Sequence, residues 1–285
     1  TGLSGKTVTA GDGRVYRGGD IVDISIDDYL QSSTTFKRVA KGWRTGVEFP
    51  TQRQGLPLPP YFLGLWLGDG LSRGPSICTA DPEIRDEVAA VAAHYGLRVR
   101  EEVQHGNASV VLHMSGEKFE TNPVREKLQF LSLLENKHIP KCYRVASRAD
   151  RLSLLAGLLD TDGSAEGSGF VILQKNEQLA IDIAFVARSL GFGCTVRSVQ
   201  KKCHNNGAVG TYFRVNIFGN CQEIPVRLPR QKVAQRSNFK DPTSVGISVT
   251  SVGDGDYFGF EIDGDRRFLL GDFTVTHNTV MGLSV

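Results

Sequence analysis

Two carboxylates and a lysine stand in the settings best suited to hydrolytic chemistry. Asp69 and Asp162 each close an apolar run: Phe62 to Gly70 reads FLGLWLGDG and Leu155 to Gly163 reads LAGLLDTDG. Both runs carry glycine in third place and finish on Asp-Gly. Glycine lacks the Cβ that holds two helix backbones apart, so Gly64 and Gly157 let such helices pack closely. Their terminal acids would then stand side by side. Two carboxylates near water and phosphate suit a hard divalent cation such as Mg2+ and the hydrolysis of a phosphodiester. One Asp-Gly alone would read as the end of a buried helix; it is the repetition that favours a shared site. Asp160, a further acid in the second run, has Leu67 as its counterpart, so a symmetric site does not require it.

The elements around these runs repeat as well. After Asp69, Ser76 to Thr79 reads as a strand, Asp81-Pro82-Glu83 opens a helix, and Val99 to Val103 with Val110 to Met114 reads as a strand pair. After Asp162, Phe170 to Leu173 reads as a strand, Glu177 to Leu190 as a helix closed by Gly191, and Cys194 to Val199 with Tyr212 to Phe218 as strands. Motif, strand, helix and strand pair in the same order twice indicate an internal duplication.

Composition bounds the alternatives. The chain has 285 residues, 40% hydrophobic and 22% charged, enough for two ordinary domains or one large duplicated one. A formal net charge of +2 announces no global affinity for nucleic acid, so any such site rests on local clusters. Ile224 to Lys240 is one cluster, with Arg227, Arg230, Lys232, Arg236 and Lys240 and no acid. The 5 cysteines lack CxxC spacing, against a disulfide framework or a zinc site. No signal peptide or membrane-spanning run is visible, so the expectation is a soluble, intracellular protein, nuclear if the source is eukaryotic. Gly5-Lys6-Thr7 is too short a match for a phosphate loop. His105, His113 and His204 lack the helical spacing of metal ligands and read as surface or DNA-facing residues.

The two runs resemble the paired LAGLIDADG motifs of homing endonucleases, over roughly Leu58 to Gly219. The resemblance implies an α+β fold: a duplicated αββαββα domain, two antiparallel sheets forming a DNA-binding saddle, and a monomer with pseudo-twofold symmetry. It implies Mg2+-dependent double-strand cleavage of DNA at a long target site, with Asp69 and Asp162 as metal ligands. Intein-encoded members place a lysine before Ile-Pro between the repeats, and Asn136-Lys137-His138-Ile139-Pro140 is similar, which makes Lys137 a catalytic candidate. A second candidate is Lys202, with Lys201 close behind, on the hairpin of the second repeat. Lysines there can polarise an attacking water or offset developing charge. DNA contacts are expected from Arg98, Arg100, Arg197, Lys201 and Arg214, though alternation alone does not say which way each faces.

The ends resemble part of an intein. Val245 to Val252, Tyr257 to Ile262, Phe268 to Leu270 and Phe273 to Thr276 read as a series of strands and turns ending at His277-Asn278-Thr279. An asparagine amide can attack its own carbonyl and cut the chain, a neighbouring histidine can move protons, and a following hydroxyl can accept the acyl group. Arg266 stands where the preceding block often carries a histidine, a departure that bears on the efficiency of Asn278 cyclisation. Thr1 replaces the expected Cys or Ser nucleophile, and no Thr-x-x-His block precedes Tyr61. The expected layout is a partial splicing (Hint) or linker segment over 1–56, the endonuclease over 57–240, a C-terminal splicing segment over 241–278 and host residues over 279–285. A separate N-terminal intein fragment is a possible partner. Competing readings are a DNA-binding or RNA maturase-like protein that no longer cleaves, and a chain whose main activity is autoprocessing.

Overall fold

The computed structural model describes residues 7–50, 55–103, 108–117, 121–202, 209–235, 241–256 and 262–277; for Lys202 and His277 only the backbone is described. The chain divides into two compact units, one made of Thr1–Thr45 with Lys240–Val285 and the other of Gly46–Phe239.

The first unit opens with β1 (Thr7–Thr9) and β2 (Val15–Arg17), an antiparallel hairpin, followed by α1 (Ile26–Gln31) and α2 (Thr34–Val39). Ser25 and Ser33 cap these short helices by accepting from the Asp28 and Phe36 amides, the role for which serine is favoured. Then comes β3 (Gly42–Trp43).

In the second unit the same sequence of elements occurs twice. The first series is α3 (Pro60–Asp69), β4 (Gly70–Leu71), β5 (Ser76–Thr79), α4 (Pro82–His94), β6 (Arg98–Val103) and β7 (Val110–Ser115). Helices α5 (Pro123–Phe130) and α6 (Lys141–Arg144) lead into the second: α7 (Arg148–Thr161), β8 (Gly163–Glu166), β9 (Gly169–Gln174), α8 (Glu177–Ser189), β10 (Gly193–Lys202) and β11 (Val209–Phe218). Each series forms an antiparallel four-stranded sheet, ordered β4-β5-β7-β6 and β8-β9-β11-β10. Helix α3 is buried almost all round, as is the stretch Leu154–Asp160 of α7, and the two join both halves in one hydrophobic core. No helix of the described residues is long and apolar enough to cross a membrane.

The chain returns to the first unit through β12 (Ser244–Val245), which pairs with β3, and β13 (Arg267–Leu269), which pairs with β14 (Val275–His277). Residues 42–45 connect these pieces: Arg44 bridges to Thr274 and forms an ion pair with Asp272, and the Thr45 amide donates to Phe273 O at 3.2 Å. Two expectations fare differently here. The turn at Gly271-Asp272 between Phe268 to Leu270 and Phe273 to Thr276 is where the sequence places it. Of Val245 to Val252 only Val245 is in a strand; Ile247, Val249 and Val252 are exposed and bury no face that would hold a strand. Tyr257 to Glu261 lies outside the described residues.

Candidate active site

Close packing of α3 on α7 rests on Gly64 and Gly157. A Cβ on Gly64 would strike the Leu154 carbonyl oxygen and stand 3.0 Å from Gly157 Cα; one on Gly157 would strike the Tyr61 carbonyl oxygen. A turn further on, a Cβ on Gly68 would collide with the Thr161 hydroxyl and lie 3.5 Å from Asp162 Cγ. The helices therefore run together to their C-terminal ends, where Asp69 is the last residue of one and Asp162 the C-cap of the other.

The electrostatics reflect that proximity. Burial, then the charge of Asp162, pushes the Asp69 carboxyl up to about 6, partly offset by Lys137. Burial also raises Asp162, opposed by its hydrogen bond from Gln174 and by Lys137. Gln174 Nε2 donates to Asp162 Oδ2 at 2.5 Å. Lys137 is pulled down by burial and held up by Asp162 and Asp69. Its Nζ donates to Gly68 O at 2.8 Å and lies 5.4 Å from the Trp66 ring centroid, so the ammonium sits beside the residue that precedes Asp69. The loop carrying it is pinned by the second half: Asn176 Nδ2 donates to Lys137 O at 2.9 Å, and the Ile139 amide donates to buried Asp182 at 2.9 Å.

Two adjacent, partly desolvated carboxylates with raised proton affinity fit a hard divalent cation, which binds the ionised form in place of protons. Among the described residues no group of three or more His, Cys, Asp or Glu is placed to hold a metal.

Asp160 faces away from this cluster. Fully buried, it accepts from Tyr61 Oη at 2.7 Å and from the amides of Arg227 and Leu228 at 2.8 and 3.2 Å. Those bonds tie down the basic segment, whose arginines also serve internal contacts. Arg227 pairs with Glu87 at 2.6 Å and stacks 3.6 Å from the Tyr61 ring centroid, and Arg230 grips both carboxylate oxygens of Asp81. Gln231 Nε2 donates to Gly163 O at 2.7 Å. The sequence reading does not include Gln174, whose one signal is its place just after the strand that follows the motif, and it reads the segment from Ile224 for its charge rather than for these internal bonds.

Strand register gives the facing of the cationic candidates. In the first sheet Ile77, Leu112 and Met114 enter the core, so Ser76, His113, Arg98 and Arg100 lie on the opposite, open face. In the second, Phe170, Ile172, Val215 and Ile217 are buried, and Arg197, Lys201 and Arg214 lie on the open face. Arg197 stands directly opposite Arg214. The Lys202 and His277 side chains, and all of Asn278, Thr279, His105 and His204, lie outside the described residues.

No family model matches the chain. It is 33% identical over 157 residues to the replicative DNA helicase DnaB of Mycobacterium intracellulare, covering 54% of this chain and 23% of the helicase. It is 27% identical over 192 residues to an iron-sulfur cluster assembly SufBD family protein of Mycobacterium leprae, covering 62% of this chain and 21% of that protein. With the homothallic switching endonuclease of Saccharomyces cerevisiae it shares 26% over 292 residues, 85% of this chain and 48% of the endonuclease. The chain thus spans less than half the length of each of these relatives. Among solved structures, the homing endonuclease I-DmoI in complex with DNA and Ca aligns at TM-score 0.37 and 16% identity, over 57% of this chain and 83% of that one. I-WcaI bound to its DNA recognition sequence aligns at TM-score 0.33 and 12% identity, over 68% of this chain and 84% of that one.

Proposed function

We propose that this chain is a site-specific DNA endonuclease of the LAGLIDADG type, which uses a divalent cation, Mg2+ in the first instance, to make a double-strand break. The observation that carries the reading is the meeting of Asp69, Asp162 and Lys137 where two glycine-packed helices end. The cation would supply charge for the scissile phosphate and a more acidic bound water. Asp69 and Asp162 would hold it through carboxylate oxygens. Lys137 sits where an ammonium can offset charge developing on a phosphate oxygen or orient an attacking water. Gln174 fixes the Asp162 carboxylate by its amide. The open sheet faces supply cationic side chains for the duplex, Arg197 and the facing Arg214 among them. The two series of elements are, in this reading, the product of a duplication that lets a monomer address both strands.

We place this nuclease between intein-type splicing segments. Residues 42–45 pair with segments from 243 onward, so the chain leaves the first unit, forms the second and comes back, the layout of an insertion. A helicase and an iron-sulfur assembly protein, whose names share no task, each match it over about a fifth of their length, as a segment transferable between hosts would. His277, Asn278 and Thr279 would carry the cyclisation and acyl acceptance at the C-terminal junction.

Incubation with a library of duplexes, with Mg2+ and with EDTA, tests the nuclease. Asp69→Asn and Asp162→Asn should each reduce cleavage by at least about 100-fold, and Lys137→Ala by about 10- to 100-fold, with duplex binding retained. Binding without metal-dependent cutting in the parent protein would leave the DNA-binding or maturase-like alternative.

A further inference from the structure

The open sheet faces hold acids as well as cations, and the acids are tied to the arginines. On the first sheet Arg100 Nη2 lies 3.4 Å from Glu102 Oε2. The same carboxylate meets His113 Nε2 at 3.2 Å, while His113 Nδ1 is 2.9 Å from Ser76 Oγ. On the second sheet Arg214 Nη2 donates to both oxygens of Glu166, at 2.8 and 3.1 Å. Its Nε donates to Asn216 Oδ1 at 3.0 Å, and Asn216 Nδ2 to Thr195 Oγ1 at 3.3 Å. Each open face therefore bears a hydrogen-bonded polar network that ties an arginine to a glutamate, and on the first face Arg98 also donates to the more exposed Glu117 at 3.2 Å.

A surface serving only to hold phosphates gains nothing from these acids. Each repels a phosphate and neutralises a cation that would otherwise displace counterions from the duplex. Stability does not explain them either, since Glu102 and Glu166 are 56% and 52% exposed and exposed ion pairs contribute little. What the pairs do provide is a fixed orientation: a guanidinium held through two of its nitrogens, as in Arg214, has little freedom to turn toward the backbone.

We infer that Glu102 and Glu166 are specificity-determining residues: each holds its arginine off the phosphates and presents the Arg–Glu pair to the edges of a G·C base pair in the major groove. The inference rests on the DNA-cleavage reading above. Guanine offers two acceptors, N7 and O6, to a guanidinium, and cytosine N4 offers a donor to a carboxylate, so one pair matches both edges. The carboxylates also weaken binding to unrelated sequence, which raises the ratio on which recognition depends.

The test is selection of bound duplexes from a random-sequence pool by the parent, E102Q and E166Q at one salt concentration, with affinity for a random-sequence duplex measured alongside. The parent should enrich G·C at two separate positions, one of which is lost in each variant. Non-specific affinity should rise about 3- to 10-fold with each carboxylate removed. E166D keeps the charge on a shorter arm, and should lose the base preference without the rise in non-specific affinity. A parent that binds DNA with no G·C preference at such positions, or variants with the parent's preference and non-specific affinity, would overturn the inference. A parent that binds no duplex would instead overturn the DNA reading beneath it.

Discussion

Asp69 and Asp162 end matching helices but are held differently. Asp162 receives the Gln174 amide, while the residue in the matching strand position beside Asp69 is Thr79, whose hydroxyl accepts from the Asp81 amide at 3.1 Å. Burial, then the charge of Asp162, raises the Asp69 carboxyl to about 6 against an ordinary 3.8. An acid raised in the folded state is stabilised by its proton. Metal-free stability should accordingly fall as pH rises from about 4 to about 6 and stay low above that. Asp69→Asn should then stabilise the metal-free protein at pH 7 by about 1–3 kcal/mol, solvent screening setting the lower end, while cleavage is lost. Urea titrations at several pH values check this, and an Asn variant less stable than the parent at pH 7 would refute it. Cleavage by the parent should fade as pH falls through about 6, because protons and the cation compete for Asp69. Asp160→Ala should behave oppositely, losing about 3–5 kcal/mol because a buried hydroxyl and two amides lose their acceptor. The sequence already set Asp160 apart from the other two acids, since it has no partner in the first run. It could not reveal Gln174, which comes near Asp162 only once a strand has turned back.

Gly64 and Gly157 set the distance between α3 and α7, and hence between the acids those helices end in. A methyl at either position meets backbone on both the facing residue and its neighbours, so no rotamer change relieves it. Gly64→Ala and Gly157→Ala should each cost about 1–3 kcal/mol or more, and should reduce cleavage beyond the loss of folded protein by spreading Asp69 from Asp162. Chemical denaturation with activity measured per folded molecule separates the two effects; an alanine variant of parental stability would contradict the close approach. This contact was legible because a glycine recurring in the same place of two apolar runs has a specific physical use. The longer strands were legible too, as were the pairings of β6 with β7 and β10 with β11, but not β4, β8, the remaining pairings or the facing: alternation at Arg98 and Arg100 or Arg197 has no sign until buried Ile77, Leu112, Val215 and Ile217 supply one. The basic run from Ile224 reads equally as a solvated face or a nucleic-acid cluster, and in the structure Arg227 and Arg230 pair with Glu87 and Asp81. A count of like charges is blind to acids distant in sequence.

At the scale of the whole chain, two chemistries are proposed for two units with separate interiors. The hydrophobic core that joins α3, α7 and both sheets lies wholly within Gly46–Phe239, the unit that also carries Asp69, Asp162 and Lys137. Asn278 belongs to the other unit, which residues 42–45 join to its returning strands by backbone bonds and the Arg44–Asp272 ion pair. Neither set of reacting groups includes a residue of the other, so the two activities should separate cleanly by mutation. Asp69→Asn with Asp162→Asn should abolish DNA cleavage and leave any loss of the residues after Asn278 unchanged. Asn278→Ala should abolish that loss and leave DNA cleavage within about 2-fold of the parent. Arg44→Ala removes a half-buried ion pair from the first unit, and should slow clipping at Asn278 while sparing the nuclease. Intact-mass analysis and a cleavage assay on one set of preparations read both activities. Loss of DNA cleavage in Asn278→Ala, or altered clipping in the aspartate variants, would mean that the two activities depend on one another.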